Sequence, residues 1–197
     1  MAPYFETVKS FAEVPIAEHG VETDSFLEAS DGLVQMFDLL GSGVFAFVQS
    51  DIRGNINGVR GRYESTRDNS GTLEGLVRTE SGEPQKHATA CLVRLIRGLC
   101  FTCKALQNMQ SDTSSELHVC FKRSYDEVLR HHHTFVIRSV VSVAIRAVPR
   151  RDDFYMRISQ GGSIERLDAE LAKWLAGLDR IVKHMSLFLE QGSYGRV

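Results

Sequence analysis

Apolar residues recur at helical spacing along most of the chain, and the clearest case is FAFVQSDIRGNINGVRGR from Phe45 to Arg62. Phe45, Val48, Ile52, Ile56 and Val59 form a stripe at about 100° per residue. Asp51, Asn55, Gly58 and Arg62 fall on a second line that borders the first. The helix therefore shows its neighbours a greasy wall and a short polar ladder. On an arbitrary helix such a ladder is most often a solvated edge. Buried, it needs partners, since an unpaired polar group in an apolar setting costs roughly 2 kcal/mol or more. Gly54 and Gly58 each cost about 1 kcal/mol against alanine inside a helix, which makes sense if something approaches the backbone closely.

The same reading predicts the remaining elements. Residues 1–22 carry Tyr4, Phe5, Val8, Phe11, Val14, Pro15 and Ile16, and read as an N-terminal segment packed on the body. Residues 23–197 read as one domain. Thr23-Asp24-Ser25 offers N-caps for a helix through Leu40, stopped by Gly41 and Gly43. The Phe45 helix fades near Tyr63, residues 64–72 are a polar loop, and a short helix from Leu73 is closed by Ser81-Gly82-Glu83-Pro84. A long helix from about Gln85 to Gln107 carries Ala88, Leu92, Leu95, Leu99, Cys103 and Leu106 on one face, and another runs from Ser115 to Leu129. Phe135–Val148 is β-branched, but its apolar pattern is long for a strand and fits a buried helix. A short helix begins at Asp152 and stops at Gly161-Gly162. The last starts at the Ser163 N-cap and runs to about Gln191, with an a/d-like stripe that includes Leu167, Leu171, Trp174, Leu178 and Met185. The sum is an all-α, two-layer helical sandwich of about eight helices.

Composition narrows the function. The chain has 197 residues and a formal net charge of −2, which gives no basic excess for nucleic acid. Four cysteines lie among apolar helical residues and read as reduced, buried thiols. Cys100-x-x-Cys103 lacks a second pair to make a zinc site. MAPYFETVKS has no signal-peptide core, and no run approaches the roughly 20 apolar residues of a membrane span. The expectation is a cytosolic monomer.

His131, His132 and His133 invite a metal reading, with a metal-dependent hydrolase as its consequence. Adjacent helical residues point about 100° apart, however, so the three cannot converge on one ion. There is no nucleophile elbow of the G-x-S-x-G kind and no phosphate-cradling loop. No metal, cofactor or catalytic residue is expected. What remains is a small polar set, Asp51, Asn55, Arg94 and His133, on helices whose other faces are strongly apolar. A few placed polar groups beside a dry interior are what an amphiphile requires.

At FVQSDIRGNINGVRGR, RLIRGLCFTCKAL and HHTFVIRSVVSVAIRAVPRRDDF, and in their order and spacing, the chain resembles the glycolipid transfer protein family, from about Phe26 to the end of the last helix. The resemblance implies a two-layer all-α fold that takes one sphingolipid, with the ceramide chains in an apolar pocket and the head group at a polar site, and moves it between membranes. The family's aspartate, which holds the ceramide amide, matches Asp51, and its asparagine matches Asn55. Its histidine, which bonds the ceramide carbonyl, matches His133. The aromatic that helps membrane docking matches Phe135.

Two positions depart from the sugar-binding members. Their lysine three residues after the asparagine is Gly58 here, and the tryptophan that stacks on the first sugar is Arg94. A sugar ring stacks on an aromatic face, whereas a guanidinium offers a charged fork suited to phosphate. The ceramide-1-phosphate branch also has arginine at this position, but its second arginine falls on Ala90 and its lysine on Asn55. Arg62, one turn beyond Gly58, and Arg97, one turn beyond Arg94, are candidate supports for the head group, Arg97 also reading as structural. The expected function is sphingolipid transfer with ceramide 1-phosphate favoured. The alternatives are glycosphingolipid transfer or a lipid-sensing module with the same ligand.

Overall fold

The computed structural model describes residues 2–40 and 45–197, so Gly41 and Gly43, the expected stop of the first long helix, lie outside the described residues. Nine α-helices occur among them. They are α1 (Tyr4–Thr7), α2 (Thr23–Leu40), α3 (Ala46–Ser65), α4 (Leu73–Ser81), α5 (His87–Ser111), α6 (Leu117–Val128), α7 (Phe135–Arg146), α8 (Arg151–Ser159) and α9 (Ile164–Gln191). α5 is the centre of the all-α sandwich and packs on α3, α6 and α9, while α2 covers α3 and α9 carries the N-terminal segment. The stripes predicted from the sequence form the core: Ile52, Ile56 and Val59 of α3, Leu92, Leu95 and Leu99 of α5, and Leu171, Trp174 and Leu178 of α9 are all buried.

Helix ends show where side chains replace missing backbone partners. The first N–H groups of a helix have no intrahelical acceptor and attract negative charge. At α5 the buried Glu80 carboxylate takes that role, accepting from Ala88 N (2.9 Å), Thr89 N (2.6 Å) and Thr89 Oγ1 (2.6 Å). At α2 it is Glu22 that accepts from Ser25 N at 2.8 Å, while Thr23 turns its hydroxyl to Ser70 O. Ser163 caps α9 through Arg166 N, as its position predicts. The α5–α6 linker is clamped by Arg151, which donates to Met109 O at 2.8 Å and to Asp112 O at 2.7 Å.

The N-terminal segment holds an element that helical periodicity does not reveal, a hairpin in which Ile16–Ala17 (β1) pairs antiparallel with Gly20–Val21 (β2). Gly20 has φ 127°, and a side chain there would fall on the Glu74 carboxylate, which accepts from Val21 N at 2.8 Å. Phe11 packs edge-on against Trp174, with ring centroids 5.1 Å apart.

The helix α7 departs from expectation. It was expected to be buried, yet Phe135, Val136, Val140 and Val143 are exposed, and only Ala144 and Ile145 of the helix are buried. α7 packs chiefly on α6.

Candidate functional site

α3 presents its polar ladder beside α5, and the two helices touch at Gly58. A Cβ there would lie 3.0 Å from Cys91 Cβ and 3.3 Å from His87 Nε2, so this glycine is the close approach suggested by its cost. Gly54 is different, with open space around it.

Beside this contact lies a cavity of about 320 Å³ between α3, α5 and the Leu129–Val141 segment. That size is within the range of about 300–1,000 Å³ usual for ligand pockets. Phe37, Val48, Ile52, Phe101, Ile137 and Val141 give it apolar walls. Its charged and ring-nitrogen members are Asp51, Arg94, Arg97, His132 and His133. Four of the seven residues singled out in the sequence, Asp51, Arg94, Arg97 and His133, therefore meet at one cavity.

The other three do not line it. Asn55 is buried and donates Nδ2 to Asp51 O at 2.9 Å and to Asp51 Oδ2 at 3.4 Å, so it braces the aspartate from below. Arg62 is turned away, donating to both oxygens of Glu83 at 3.1 and 2.6 Å. Phe135 stands outside, 83 % exposed, on the apolar stripe of α7.

His133 follows the tight turn Arg130–His132 and precedes Thr134, the N-cap of α7. Its Nδ1 lies 3.2 Å from the Tyr125 hydroxyl of α6. Burial raises the Tyr125 pKa, which keeps the phenol protonated. When that hydroxyl donates to Nδ1, Nε2 carries the proton and can donate to a carbonyl. Burial lowers the pKa of His133, with the Asp51 carboxylate acting in the opposite sense, so the imidazole is neutral near pH 7.

Arg94 is exposed on the cavity rim and forms no ion pair with another described residue. Arg97 is half-buried and donates Nε (2.8 Å) and Nη2 to the backbone carbonyl of Arg196. Burial and the neighbouring Arg94 lower its pKa, though a guanidinium stays charged in proteins. The C-terminal stretch is thus folded back along α5. A side chain at Gly195 would press on Val93, and Tyr194 packs on Phe188 with ring centroids 5.4 Å apart. Sequence reasoning missed this stretch, His132 and Tyr125. None shares a helical stripe with Asp51, and only the i+8 spacing from Tyr125 to His133 across the turn was there to find.

The cysteines are free. Burial raises the pKa of Cys100, and that of Cys103 to about 12, which leaves them inert thiols near neutral pH. Among the described residues no group of three or more His, Cys, Asp or Glu is arranged to hold a metal, and no helix is long and apolar enough to cross a membrane.

An all-α sandwich with a cavity that joins apolar walls to a few polar groups suits an amphiphile. The comparisons with known proteins agree. The glycolipid transfer protein (GLTP) family model matches residues 21–160. A glycolipid transfer protein of Aureobasidium melanogenum is 40% identical over 187 residues, which cover 94% of this chain and 92% of that one. Among solved structures, HET-C2, a fungal glycolipid transfer protein, superposes with a TM-score of 0.90 at 38% identity, covering 95% of this chain and 96% of the other. Human ceramide-1-phosphate transfer protein in complex with 12:0 ceramide 1-phosphate superposes with a TM-score of 0.85 at 19% identity, with 98% of each chain covered, and shares the fold alone. This chain belongs to the glycolipid transfer protein family, whose members are lipid transfer proteins and not enzymes.

Proposed function

We propose that this chain carries one sphingolipid between membranes, and that its head-group site favours ceramide 1-phosphate over glycosylceramides. Family membership supports the lipid class. The observation that carries the head-group preference is Arg94, an exposed guanidinium on the cavity rim with no carboxylate partner among the described residues and with Arg97 one turn away. Two neighbouring cations repel each other and gain from an anion between them, and a guanidinium matches phosphate with paired donors. Gly58 points the same way. The lysine that sugar-binding members carry is absent there, and any side chain at this position would require Cys91 to shift.

In this reading the parts divide their work. Asp51, steadied by Asn55, accepts from the ceramide amide. His133, oriented by Tyr125, donates to the ceramide carbonyl. Arg94 and Arg97 meet the phosphate. The hydrocarbon chains enter the walls formed by Phe37, Val48, Ile52, Phe101, Ile137 and Val141. Burial at about 0.8 kcal/mol per CH₂ offsets leaving a bilayer that solvated the chains similarly, so the polar groups decide which head group is retained. The stripe Phe135, Val136, Val140 and Val143, together with exposed Phe47 at the cavity, is the face that meets the membrane.

A second reading, glycosphingolipid transfer, is favoured by the 40% identity to a glycolipid transfer protein. Mass spectrometry of the lipid that co-purifies with the protein separates the two. Ceramide 1-phosphate is the expected lipid, a hexosylceramide supports the second reading, and a lipid without a sphingoid base contradicts both.

A further inference from the structure

One polar residue of the cavity lining has no part in the roles above. His132 lines the cavity, and its Nε2 is buried without a hydrogen-bond partner. Leaving such a group unsatisfied costs about 1–3 kcal/mol, and native structures rarely do so without a ligand or function to explain it. Other described residues share this condition, namely Arg62, Asp168 and Trp174, but none of them lines the cavity.

The surroundings of His132 are cationic. Arg97 on α5 and Arg196 on the C-terminal stretch act on it, as do His131, whose ring stacks at a centroid distance of 4.1 Å, and His133. Arg94 adds a further positive charge to the same cavity, and Asp51 on α3 is its one carboxylate. Arg97 also holds the Arg196 carbonyl, which fixes the stretch carrying this extra cation against α5. Such a setting suits an imidazole that stays neutral while the site is empty and gains a proton when an anion arrives.

We propose that His132 is a further head-group ligand of this site, binding a phosphomonoester through Nε2 beside Arg94 and Arg97. The proposal rests on the phosphate reading given above. It assigns His132 a task separate from that of His133, which donates to the ceramide carbonyl and is indifferent to the head group. Burial and the neighbouring positive charges lower the pKa of His132, so phosphate entry is accompanied by uptake of a proton from solvent onto the ring.

Calorimetric titration with a short-chain ceramide phosphate, run in two buffers of different ionisation enthalpy, reads affinity and proton uptake together. Below pH 7 the phosphomonoester itself titrates at about pH 6, so the quantity read is the His132-dependent part: wild-type protein is expected to take up more protons on binding than His132→Phe, with no such difference for short-chain glucosylceramide. His132→Phe keeps an aromatic ring, and is expected to lose about tenfold in phosphate-lipid affinity, the scale of one lost hydrogen bond to a charged group, together with this extra proton uptake. Its glucosylceramide affinity should stay within about twofold. His132→Gln, with an amide near the place of Nε2, should recover part of the affinity without the proton. His131→Phe should match wild type. Melting curves establish that each variant is folded.

If wild-type protein binds the phosphate lipid and His132→Phe equals it in affinity and proton uptake, the proposal is overturned while the head-group reading stands. An equal loss for both lipids also overturns it, since His132 would then be structural. If wild-type protein binds only glucosylceramide, the head-group reading fails and takes the proposal with it. Inorganic phosphate alone should give no measurable His132-dependent heat; a full response would make this a free-anion site and overturn the lipid assignment.

Discussion

The Asn55 side chain lies beneath Asp51 and donates to its backbone carbonyl at 2.9 Å and to its carboxylate at 3.4 Å. The ladder seen in the sequence is therefore an exposed acceptor with a buried support. Asn55→Ala removes the support, leaves the Asp51 carboxylate free to rotate, and makes a small cavity. The expected outcome is a stability loss of about 1 kcal/mol with slower transfer of every head group alike. Transfer rates for two different sphingolipids measured side by side check this, because a direct head-group contact would slow one and spare the other.

Gly58 and Cys91 are expected to be coupled. Gly58→Ala gains about 1 kcal/mol in helix propensity but puts a methyl group against Cys91 Sγ, its nearest neighbour there, and overpacking costs about 1–3 kcal/mol. The net effect in the wild-type background is a modest destabilisation. With Cys91→Ala in place, the sulfur is gone and the same change should become neutral or stabilising. Chemical denaturation of the four proteins of this cycle gives the coupling directly.

The exposed stripe of α7 has little to do in the isolated molecule. Phe135→Asp combined with Val140→Asp should leave the melting temperature nearly unchanged, since Phe135 is 83 % exposed and Val140 44 %. Vesicle binding and transfer should fall by about tenfold or more, because burying a phenylalanine side chain contributes about 1.5–3 kcal/mol. Flotation with vesicles, alongside a melting curve, separates a membrane role from a folding role.

Burial is the first cause that lowers the pKa of both His132 and His133 below the ordinary histidine value of about 6.5. The unfolded chain then binds more protons than the folded one below about pH 6.5. Their contribution to stability is complete above that pH and is lost as pH falls through the lower folded-state values. The ligand-free protein should melt at a progressively lower temperature from pH 7 to 5.5, and His132→Gln should flatten this slope. Melting temperatures across that window provide the check.

Much of the fold was legible because helical stripes are strong signals. The α5 and α9 stripes identify their buried faces, and the Ser163 cap marks where α9 begins. α7 shows the limit of such reasoning. Phe135, Val136, Val140 and Val143 give the periodicity of a buried helix, yet periodicity cannot tell a face packed on protein from one left open on the surface. The hairpin at residues 16–21 has strands of two residues, too short for an alternating pattern, and is held by Glu74 from far along the chain. At the site, the resemblance led to Asp51, Arg94 and His133 at the cavity. It also pointed to Asn55, which the structure places one turn from Asp51, donating to its backbone carbonyl and carboxylate. The contact between Arg97 and Arg196 is separated by 99 residues and has no local signature.

Transfer between vesicles tests the central claim most directly, with donors containing either ceramide 1-phosphate or glucosylceramide, for wild-type protein and for Arg94→Ala, Arg94→Trp and Asp51→Val. The account predicts faster transfer of ceramide 1-phosphate by wild type, loss of that transfer by about tenfold or more in Arg94→Ala with the fold intact, a shift towards glucosylceramide in Arg94→Trp, and no transfer of either lipid by Asp51→Val. Faster glucosylceramide transfer by wild type, unchanged by Arg94→Ala, would contradict the phosphate preference, and transfer of neither lipid would contradict the account as a whole.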